Sequence, residues 1–315
     1  MDPLRAFASR PHYLDHIAPV WDALGRPGPV MVDRDIRQHP YAAETGALAV
    51  SRGVGAVLVA GYSDLFRARA LGFGPFVMMQ HGAGQSYHGD PRSAGNQHYA
   101  GGKDHGDVAL FIVPGEDPAA RWRAAYPGAR VVVAGMPKPL PSRVGAPGTV
   151  VAVTFHWACP LIPETGSAWR EFRDALPALA DRYEVLGHWH PRWGDVLRTW
   201  YEAHGIEPVA SLADVARRAD VLVADNTSAV YEFAATGRPV ALMRSSRWRR
   251  DARHGLRFGD ASTIGQETAE PHELIPTVAT ALLDPRGLRE ERARVVGMVY
   301  GPGGAREAAE AIATM

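Results

Sequence analysis

The chain has 315 residues, which is long enough for two domains of ordinary size, each with its own hydrophobic core. Hydrophobic residues make up 46% and charged residues 22%, proportions typical of a globular protein, and the formal net charge of zero excludes a nucleic acid as a charge-driven partner. The single cysteine, Cys159, excludes an internal disulfide and a thiolate metal cluster.

Neither a targeting segment nor a membrane span is predicted. The first residues, Met1 to His16, lack the apolar core of a signal peptide. No apolar run approaches the ~20 residues needed to cross a bilayer. We therefore expect a cytoplasmic protein whose contact with a membrane is at most peripheral.

Short apolar strands alternate with helical stretches in the first half of the chain, a pattern typical of parallel α/β sheets. Strands are predicted at Pro29–Val32, Ala56–Ala60, Pro75–Gln80, Val108–Val113 and Arg130–Ala134. Helices are predicted near Tyr41–Arg52, Ser63–Leu71 and Pro118–Tyr126. The proline-rich segment from Pro137 to Gly148 then interrupts the pattern, which predicts a linker.

The alternation restarts after this linker. Strands are predicted at Thr149–Phe155, Tyr183–Leu186, Pro208–Ala210 and Val221–Ala224, and after Gly237-Arg238-Pro239. Helices are predicted at Ser167–Asp181, Trp193–His204, Leu212–Arg218, Ala229–Ala235, Glu273–Leu283 and Ala305–Met315. The second half therefore predicts another sheet of parallel strands.

We predict an α/β fold with two doubly wound parallel-sheet, Rossmann-like domains that face a cleft, the GT-B type of architecture. The predicted domains are 1–140 and 148–300, with a helix over 301–315 that closes on the fold. Neither half carries G-x-G-x-x-G after its first strand, which argues against a dinucleotide site. Ligands of open α/β sheets bind beyond the carboxyl ends of the strands, so the loops there hold the candidate residues.

The loop after the third predicted strand contains His81, followed by Gly82 and, further along, Gln85. A histidine at the end of a strand and before glycines can stand where a substrate hydroxyl approaches closely. An imidazole titrates near neutral pH and suits removal of a proton from that hydroxyl. The alternative is a histidine that only caps the loop by hydrogen bonding.

The remaining histidines of the first half give weaker predictions. His12 and His16 stand at helical spacing, but nothing acidic completes a site, so we assign them a structural role. The polar, glycine-rich stretch Gly89–Gly106 is long for a loop and suits a flap over an acceptor, with Lys103 and His105 as candidates.

A second candidate loop reads Gly187-His188-Trp189-His190-Pro191-Arg192. Its alternating histidines can bind a metal, contact a phosphate or serve the structure, and no acidic or thiol residue stands beside them. His190 is the better candidate for a phosphate contact because it precedes the proline that ends the segment. Arg192 can assist it as a planar donor.

A third loop, Asp225-Asn226-Thr227-Ser228, joins a buried strand to a helix. Its hydroxyls, its backbone N–H groups and the positive end of the helix dipole predict a site for a diphosphate, to which Asn226 also belongs. Asp225 repels phosphate, so it either orders the turn or contacts an acceptor hydroxyl. Glu232 lies one helical turn after Ser228 and suits ribose hydroxyls. The alternative is an ordinary capped helix.

A basic loop follows, with six arginines between Arg244 and Arg257. It can clamp phosphates, touch an anionic membrane surface or form a solvated face, and the sequence leaves these uses open.

Together these motifs resemble the CDP-glycerol glycerophosphotransferases of teichoic-acid synthesis, within the GT-B nucleotide-sugar transferase group. The resemblance rests on His81-Gly82, on His190-Pro191 and on the segment from Ala219 to Ser228, and it continues from His254 to Asp260. It implies that His81 activates the acceptor, that His190 contacts the diphosphate and that the hydroxyls of Thr227 and Ser228 bind the phosphates. Ala83-Gly84-Gln85 and Asp225-Asn226 differ from the residues usual in that family.

The expected function is therefore a metal-independent transfer of a glycerophosphate or glycosyl group from a nucleotide-diphosphate donor to a hydroxyl acceptor. The acceptor is a glycan, a polyol phosphate or a lipid-linked glycan, and no cofactor is expected. On this interpretation the first domain is the acceptor side and the second binds the donor. Two alternatives are an isomerase like the non-hydrolysing UDP-sugar 2-epimerases and a non-catalytic protein that binds nucleotides or glycans.

Overall fold

The computed structural model of the chain describes residues 4–83, 105–157, 166–246 and 264–315. The chain divides into two structural units. Unit 1 comprises Met1–Lys138 and Met298–Met315, and unit 2 comprises Pro139–Gly297. Within the described ranges, no helix has both the length and the apolar character that a membrane crossing requires.

Unit 1 contains a seven-stranded sheet with the order β3-β2-β1-β4-β5-β6-β7. The strands are β1 (Arg5–Ala8), β2 (Val30–Val32), β3 (Leu48–Ala49), β4 (Val57–Val59), β5 (Phe76–Met79), β6 (Val108–Val113) and β7 (Arg130–Val133). All neighbouring strands pair in parallel. The central strands are continuous apolar runs because helices cover both of their faces.

In the described part of unit 1, five α-helices accompany this sheet. They are α1 (Pro11–Ala23), α2 (Pro40–Glu44), α3 (Tyr62–Ala70), α4 (Glu116–Ala125) and the C-terminal α12 (Ala305–Ala313). Helix α1 begins with a proline, whose missing N–H costs nothing at that position, and it ends before Gly25, whose φ of 72° favours glycine. Helix α12 packs against α1 and β7, so the C-terminal segment completes the core of unit 1.

Unit 2 contains a six-stranded parallel sheet with the order β10-β9-β8-β11-β12-β13. The strands are β8 (Val151–Phe155), β9 (Val185–Trp189), β10 (Glu207–Pro208), β11 (Val221–Ala224), β12 (Val240–Met243) and β13 (Gln266–Thr268). The helices are α5 (Trp169–Phe172), α6 (Leu176–Ala180), α7 (Asp195–Ala203), α8 (Leu212–Arg218), α9 (Ala229–Ala234), α10 (Leu274–Leu283) and α11 (Arg286–Val299). Its core is rich in aromatic residues, among them Phe155, Trp169 and Tyr201.

The predicted class, two α/β domains with parallel sheets, is confirmed. Several predicted elements were wrong in detail, among them the helix expected over Ser167–Asp181, which is divided into α5, a 3₁₀ turn and α6. The helix expected over Tyr41–Arg52 ends at Glu44, because Gly46 adopts a φ of 63° and the chain then forms β3. Strand β9 continues to Trp189, because Phe155 of β8 offers it a pairing partner there. His188 therefore belongs to a strand, and His190 is the first histidine beyond it.

We expect Gly187→Ala to destabilise unit 2. A Cβ at this position would lie 2.4 Å from Cδ2 of Tyr201. The ring of Tyr201 is fully buried and its hydroxyl donates to the carbonyl of His188 at 3.0 Å, so it has no room to move aside. Overpacking of this kind costs about 1–3 kcal/mol, which thermal denaturation should record as a lower Tm.

Gly287→Ala in α11 is the matched control, because a Cβ there meets nothing within 4 Å. Alanine is favoured over glycine in a helix by up to about 1 kcal/mol, so this variant should be neutral or slightly stabilised. An unchanged Tm for Gly187→Ala would contradict the close packing of β9 on α7.

Candidate functional site

Each sheet has one point where the strand order reverses, and the candidate residues lie around these two points. In unit 1 the reversal falls between β1 and β4, and in unit 2 it falls between β8 and β11. The chain leaves the two strands in opposite directions at such a point, which opens a crevice outside their carboxyl ends. This crevice is the usual ligand site of an open parallel sheet.

His81 lies at the reversal point of unit 1. It follows β5, and its Nδ1 is 2.6 Å from the carbonyl oxygen of Ala60, the residue after β4. A carbonyl oxygen only accepts hydrogen bonds, so Nδ1 carries the proton. The neutral ring then has its lone pair on Nε2, which is the tautomer of a general base.

The backbone after His81 turns sharply. Gly82 has a φ of 112°, in the left-handed region that favours glycine, and both Gly82 and Ala83 are buried. The imidazole is therefore held between this turn and the carbonyl of Ala60. Two further residues predicted for the acceptor side, Gln85 and Lys103, lie outside the described residues.

His105, the end of the predicted acceptor flap, is a packing residue in the structure. It is fully buried, and its ring centroid lies 5.6 Å from that of Tyr62, 5.7 Å from that of Trp122 and 5.9 Å from that of Tyr126. The flap residues from 89 to 104 lie outside the described part of the chain.

The structure brings His12 and His16 to His81, although the sequence predicted a purely structural role for them. Their ring centroids lie 5.8 and 6.3 Å from that of His81, and the ring of Tyr13 packs edge-on against it at 4.7 Å. Helix α1 follows β1 directly, so its first two turns reach the reversal point. The i, i+4 spacing of His12 and His16 shows that they share one face of a helix. Only the recognition of β1 would have shown that this helix begins beside His81.

Asp225 organises the reversal point of unit 2. Its buried carboxylate accepts hydrogen bonds from the backbone N–H of His156 at 2.7 Å, from that of Ala168 at 2.9 Å and from the hydroxyl of Ser167 at 3.0 Å. These bonds tie the turn after β11 to the end of β8 and to the segment before α5. They correspond to the predicted ordering of the turn, and contact with an acceptor stays a prediction.

His156 is a candidate that the sequence interpretation missed. It is buried directly after β8, and its ring lies edge-on to that of His190, with the centroids 5.5 Å apart. Its carbonyl accepts a hydrogen bond from Nε1 of Trp193 at 3.1 Å. The signal that singled out His81, a histidine directly after an apolar strand, applies equally to His156.

His190 has the opposite tautomer to His81. Its Nδ1 accepts a hydrogen bond from the backbone N–H of Arg192 at 3.1 Å, so Nδ1 bears no proton. The neutral ring therefore carries its hydrogen on Nε2, as a donor. A donor of this kind suits an anionic oxygen of a bound phosphate.

Arg192 stacks on an aromatic ring beside His190. Its guanidinium carbon lies 4.2 Å from the centroid of Trp157, within the range of a cation–π contact. A guanidinium in such a contact can still donate N–H hydrogen bonds to an acceptor. The predicted role as a planar donor stays a prediction, with a geometry that suits it.

The turn after β11 leads into α9, which has only six residues. The dipole of so short a helix sums few peptide units and is weak. Phosphate binding at this turn therefore depends more on hydroxyl and backbone donors than the sequence-based prediction assumed. The hydroxyl of Thr227 accepts from the N–H of Ala229 at 3.4 Å. Asn226, Thr227 and Glu232 are buried, whereas Ser228 is partly exposed.

His188 serves the contact between two strands. It is buried, and its Nδ1 lies 2.7 Å from Oγ1 of Thr154, its register partner on β8. In the described ranges of the chain, no group of three or more His, Cys, Asp or Glu residues is arranged to hold a metal ion.

Only the start of the basic loop lies within the described residues. Glu171 accepts hydrogen bonds from the hydroxyl of Ser245 at 2.8 Å and from the N–H of Ser246 at 3.0 Å. Arg244 pairs with Glu267 at 3.3 Å. The arginines from 247 onward lie outside this part, so the three uses of the loop stay open.

The comparisons with known proteins identify the fold. No protein-family model and no curated protein matches the chain. Among solved structures, it is similar to a putative UDP-N-acetylglucosamine 2-epimerase from Listeria monocytogenes, with 14% identity, a TM-score of 0.63 and coverage of 98% of this chain and 94% of that one. A UDP-GlcNAc 2-epimerase from Neisseria meningitidis bound to UDP-GlcNAc shares 14% identity, with a TM-score of 0.56 and coverage of 99% and 98%.

The chain is also similar to the wall teichoic acid polymerase TagF in a structure soaked with CDPG. The identity is 11% and the TM-score 0.59, with coverage of 99% of this chain and 87% of that one. Such low identities show a shared fold and not a shared activity. The fold is therefore that of the GT-B group, which hosts both kinds of enzyme.

Proposed function

We propose that this chain is an enzyme that acts on a nucleotide-diphosphate-activated substrate and transfers the activated group to a hydroxyl acceptor. The observation that carries the proposal is the pair of complementary tautomers. His81 presents a basic Nε2 at the reversal point of unit 1, and His190 presents an N–H donor at that of unit 2. The Nε2 of His81 suits removal of a proton, and the N–H of His190 suits stabilisation of the charge on the departing phosphate.

Unit 2 binds the nucleotide in this proposal. His190 and Arg192 donate to the diphosphate, together with the side-chain amide of Asn226 and the hydroxyls of Thr227 and Ser228. Glu232, one turn further along α9, accepts from the ribose hydroxyls. Because protein donors neutralise the diphosphate, we expect no metal requirement, and turnover should persist in the presence of a chelator.

Unit 1 handles the acceptor. Nε2 of His81 takes the proton of the acceptor hydroxyl, and the acceptor oxygen forms a bond to the donor phosphorus in glycerophosphate transfer or to the anomeric carbon in glycosyl transfer. The bond from that atom to the bridging oxygen of the nucleotide phosphate breaks. Its electron pair stays on the departing phosphate, whose charge His190 stabilises.

A 2-epimerase activity is a second candidate, favoured by one specific observation. The two epimerase structures match the chain with TM-scores of 0.63 and 0.56, which bracket the value of 0.59 for TagF. An epimerase needs no acceptor. Incubation of the protein with UDP-GlcNAc alone, followed by analysis of the sugar, therefore separates the two reactions.

Nucleotide binding is the first test of the proposal. We expect at least one of CDP, UDP, GDP and ADP to raise the Tm, because a ligand that binds only the folded state stabilises it, by about 2.7 kcal/mol at 100 times its Kd. His190→Ala should reduce the shift, whereas His204→Ala should not. His204 is an exposed residue of unit 2 whose Nδ1 lies 2.7 Å from the carbonyl of Trp200. If no nucleotide shifts the Tm, the proposal is overturned.

A further inference from the structure

We propose that unit 1 contains an anion-binding subsite beside His81, which takes a phosphate or carboxylate group of the acceptor. Its residues are His12, His16 and Lys138. The inference rests on the proposed function and names the substrate class of the acceptor side, a hydroxyl compound that carries an oxyanion.

The geometry places the rings of His12 and His16 close to that of His81, with the ring of Tyr13 packed against His12 and His81. His12 and His16 are one helical turn apart on α1, so they share a face of that helix. Their ring centroids lie 5.8 and 6.3 Å from that of His81. A group with the dimensions of phosphate can therefore reach more than one ring at a time.

The fixed charges of this cluster are one lysine and one carboxylate, which form an ion pair. Lys138 is partly buried, and its Nζ lies 3.2 Å from Oδ2 of Asp15. The other oxygen of that carboxylate lies 3.1 Å from Nε2 of His39. One acidic side chain is thus shared by a lysine and a histidine.

The titration of His16 agrees with this geometry. Burial lowers the pKa of His16 well below its ordinary value, and the nearby Lys138, His81 and His12 lower it further. The titratable and charged groups near it are His12 from α1, His81 from the loop after β5, and Lys138, whose ion-pair partner is Asp15. An oxyanion among them accepts hydrogen bonds from the ring N–H groups and from Lys138, and it stabilises His16 when that ring takes up a proton.

A proton should be taken up when the anion binds. Because the anion favours the charged form of His16, it raises the pKa of that ring. The affinity should therefore increase as the pH falls through the pKa of the bound state. A subsite of this kind fixes the anionic end of an acceptor and leaves its hydroxyl beside Nε2 of His81.

The test uses the full chain with ¹³C-labelled histidine, titrated with inorganic phosphate while the ring signals are followed by NMR. We expect phosphate to shift the signals of His12 and His16 and to raise the titration midpoint of His16. Lys138→Met should weaken binding about tenfold or more, since a charged hydrogen bond is lost. His204→Gln, a surface change in unit 2, should leave the binding unchanged.

A parallel titration with acetate distinguishes the two sources of the oxyanion. Tighter binding of phosphate identifies a phosphate-bearing acceptor, and tighter binding of acetate identifies a carboxylate. If neither anion moves the signals of His12 and His16, or if Lys138→Met binds phosphate like the unaltered protein, the inference is overturned. Circular dichroism of each variant establishes that its fold is retained.

The phosphate titration requires neither a donor nor turnover, so it tests the subsite independently of the proposed function. Loss of the phosphate response with intact nucleotide binding removes the subsite alone. A phosphate response without any nucleotide binding removes the proposed transferase and leaves the anion site in place. His190→Ala should leave the response of His12 and His16 intact, because phosphate that binds to unit 2 shifts the NMR signals of histidines in that unit and not those of His12 and His16.

Discussion

His81→Asn should lower turnover about 10²–10⁴-fold, the usual contribution of a general base, while nucleotide binding stays unchanged. Asparagine keeps an N–H that can donate to the carbonyl of Ala60, where Nδ1 of the histidine donates at 2.6 Å. It has no basic nitrogen in place of Nε2. The substitution therefore removes the chemistry and preserves the hydrogen bond that holds the loop.

The measurement is turnover with whichever donor the nucleotide panel identifies, together with the Tm shift produced by that nucleotide. His204→Asn in unit 2 serves as the control and should retain full activity. Undiminished turnover in His81→Asn would remove this histidine from the role of base. An equal loss of nucleotide binding would instead assign it to the donor.

Asp225→Ala should lower the free energy of unfolding of unit 2 by about 3 kcal/mol or more. Its carboxylate satisfies three donors, those of His156, Ser167 and Ala168, and it is 1% exposed. Each buried donor left without an acceptor costs about 1–3 kcal/mol. Because the same bonds hold the loops at the reversal point, nucleotide binding should weaken as well.

Urea denaturation with and without nucleotide measures both effects. Asp225→Asn keeps one acceptor oxygen and should fall between the alanine variant and the unaltered protein. Asp174→Ala is the control, because that side chain is 85% exposed and surface changes usually alter stability by less than about 0.5 kcal/mol. A stability of Asp225→Ala equal to that of the control would show that the loops do not depend on the carboxylate.

The sequence located most of the elements because buried parallel strands are short apolar runs between turn residues. Leu212–Arg218 and Val221–Ala224 have the same bounds in prediction and structure. Strand β1 was missed, since its four residues, Arg5–Ala8, include two alanines and show no period. Strand β13 and helices α1 and α11 were missed as well.

The omission of β1 had a consequence for the candidate site. This strand lies inside the sheet of unit 1, next to β4, where the strand order reverses. Without it, neither the position of the reversal nor the approach of His12 and His16 to His81 could be deduced. The spacing of His12 and His16 was visible in the sequence, but the pairing of strands is what brings His81 close to them.

The sequence by itself determined the α/β class and the histidines that follow β5 and β9, because local apolar pattern and turn chemistry specify where strands end. Only the tertiary structure decided which hydrogen-bond partners these residues have. The partners of Asp225 lie 57 to 69 residues away in the chain, and the tautomer of His81 is set by a carbonyl 21 residues away. Such contacts depend on strand order, which no local pattern encodes.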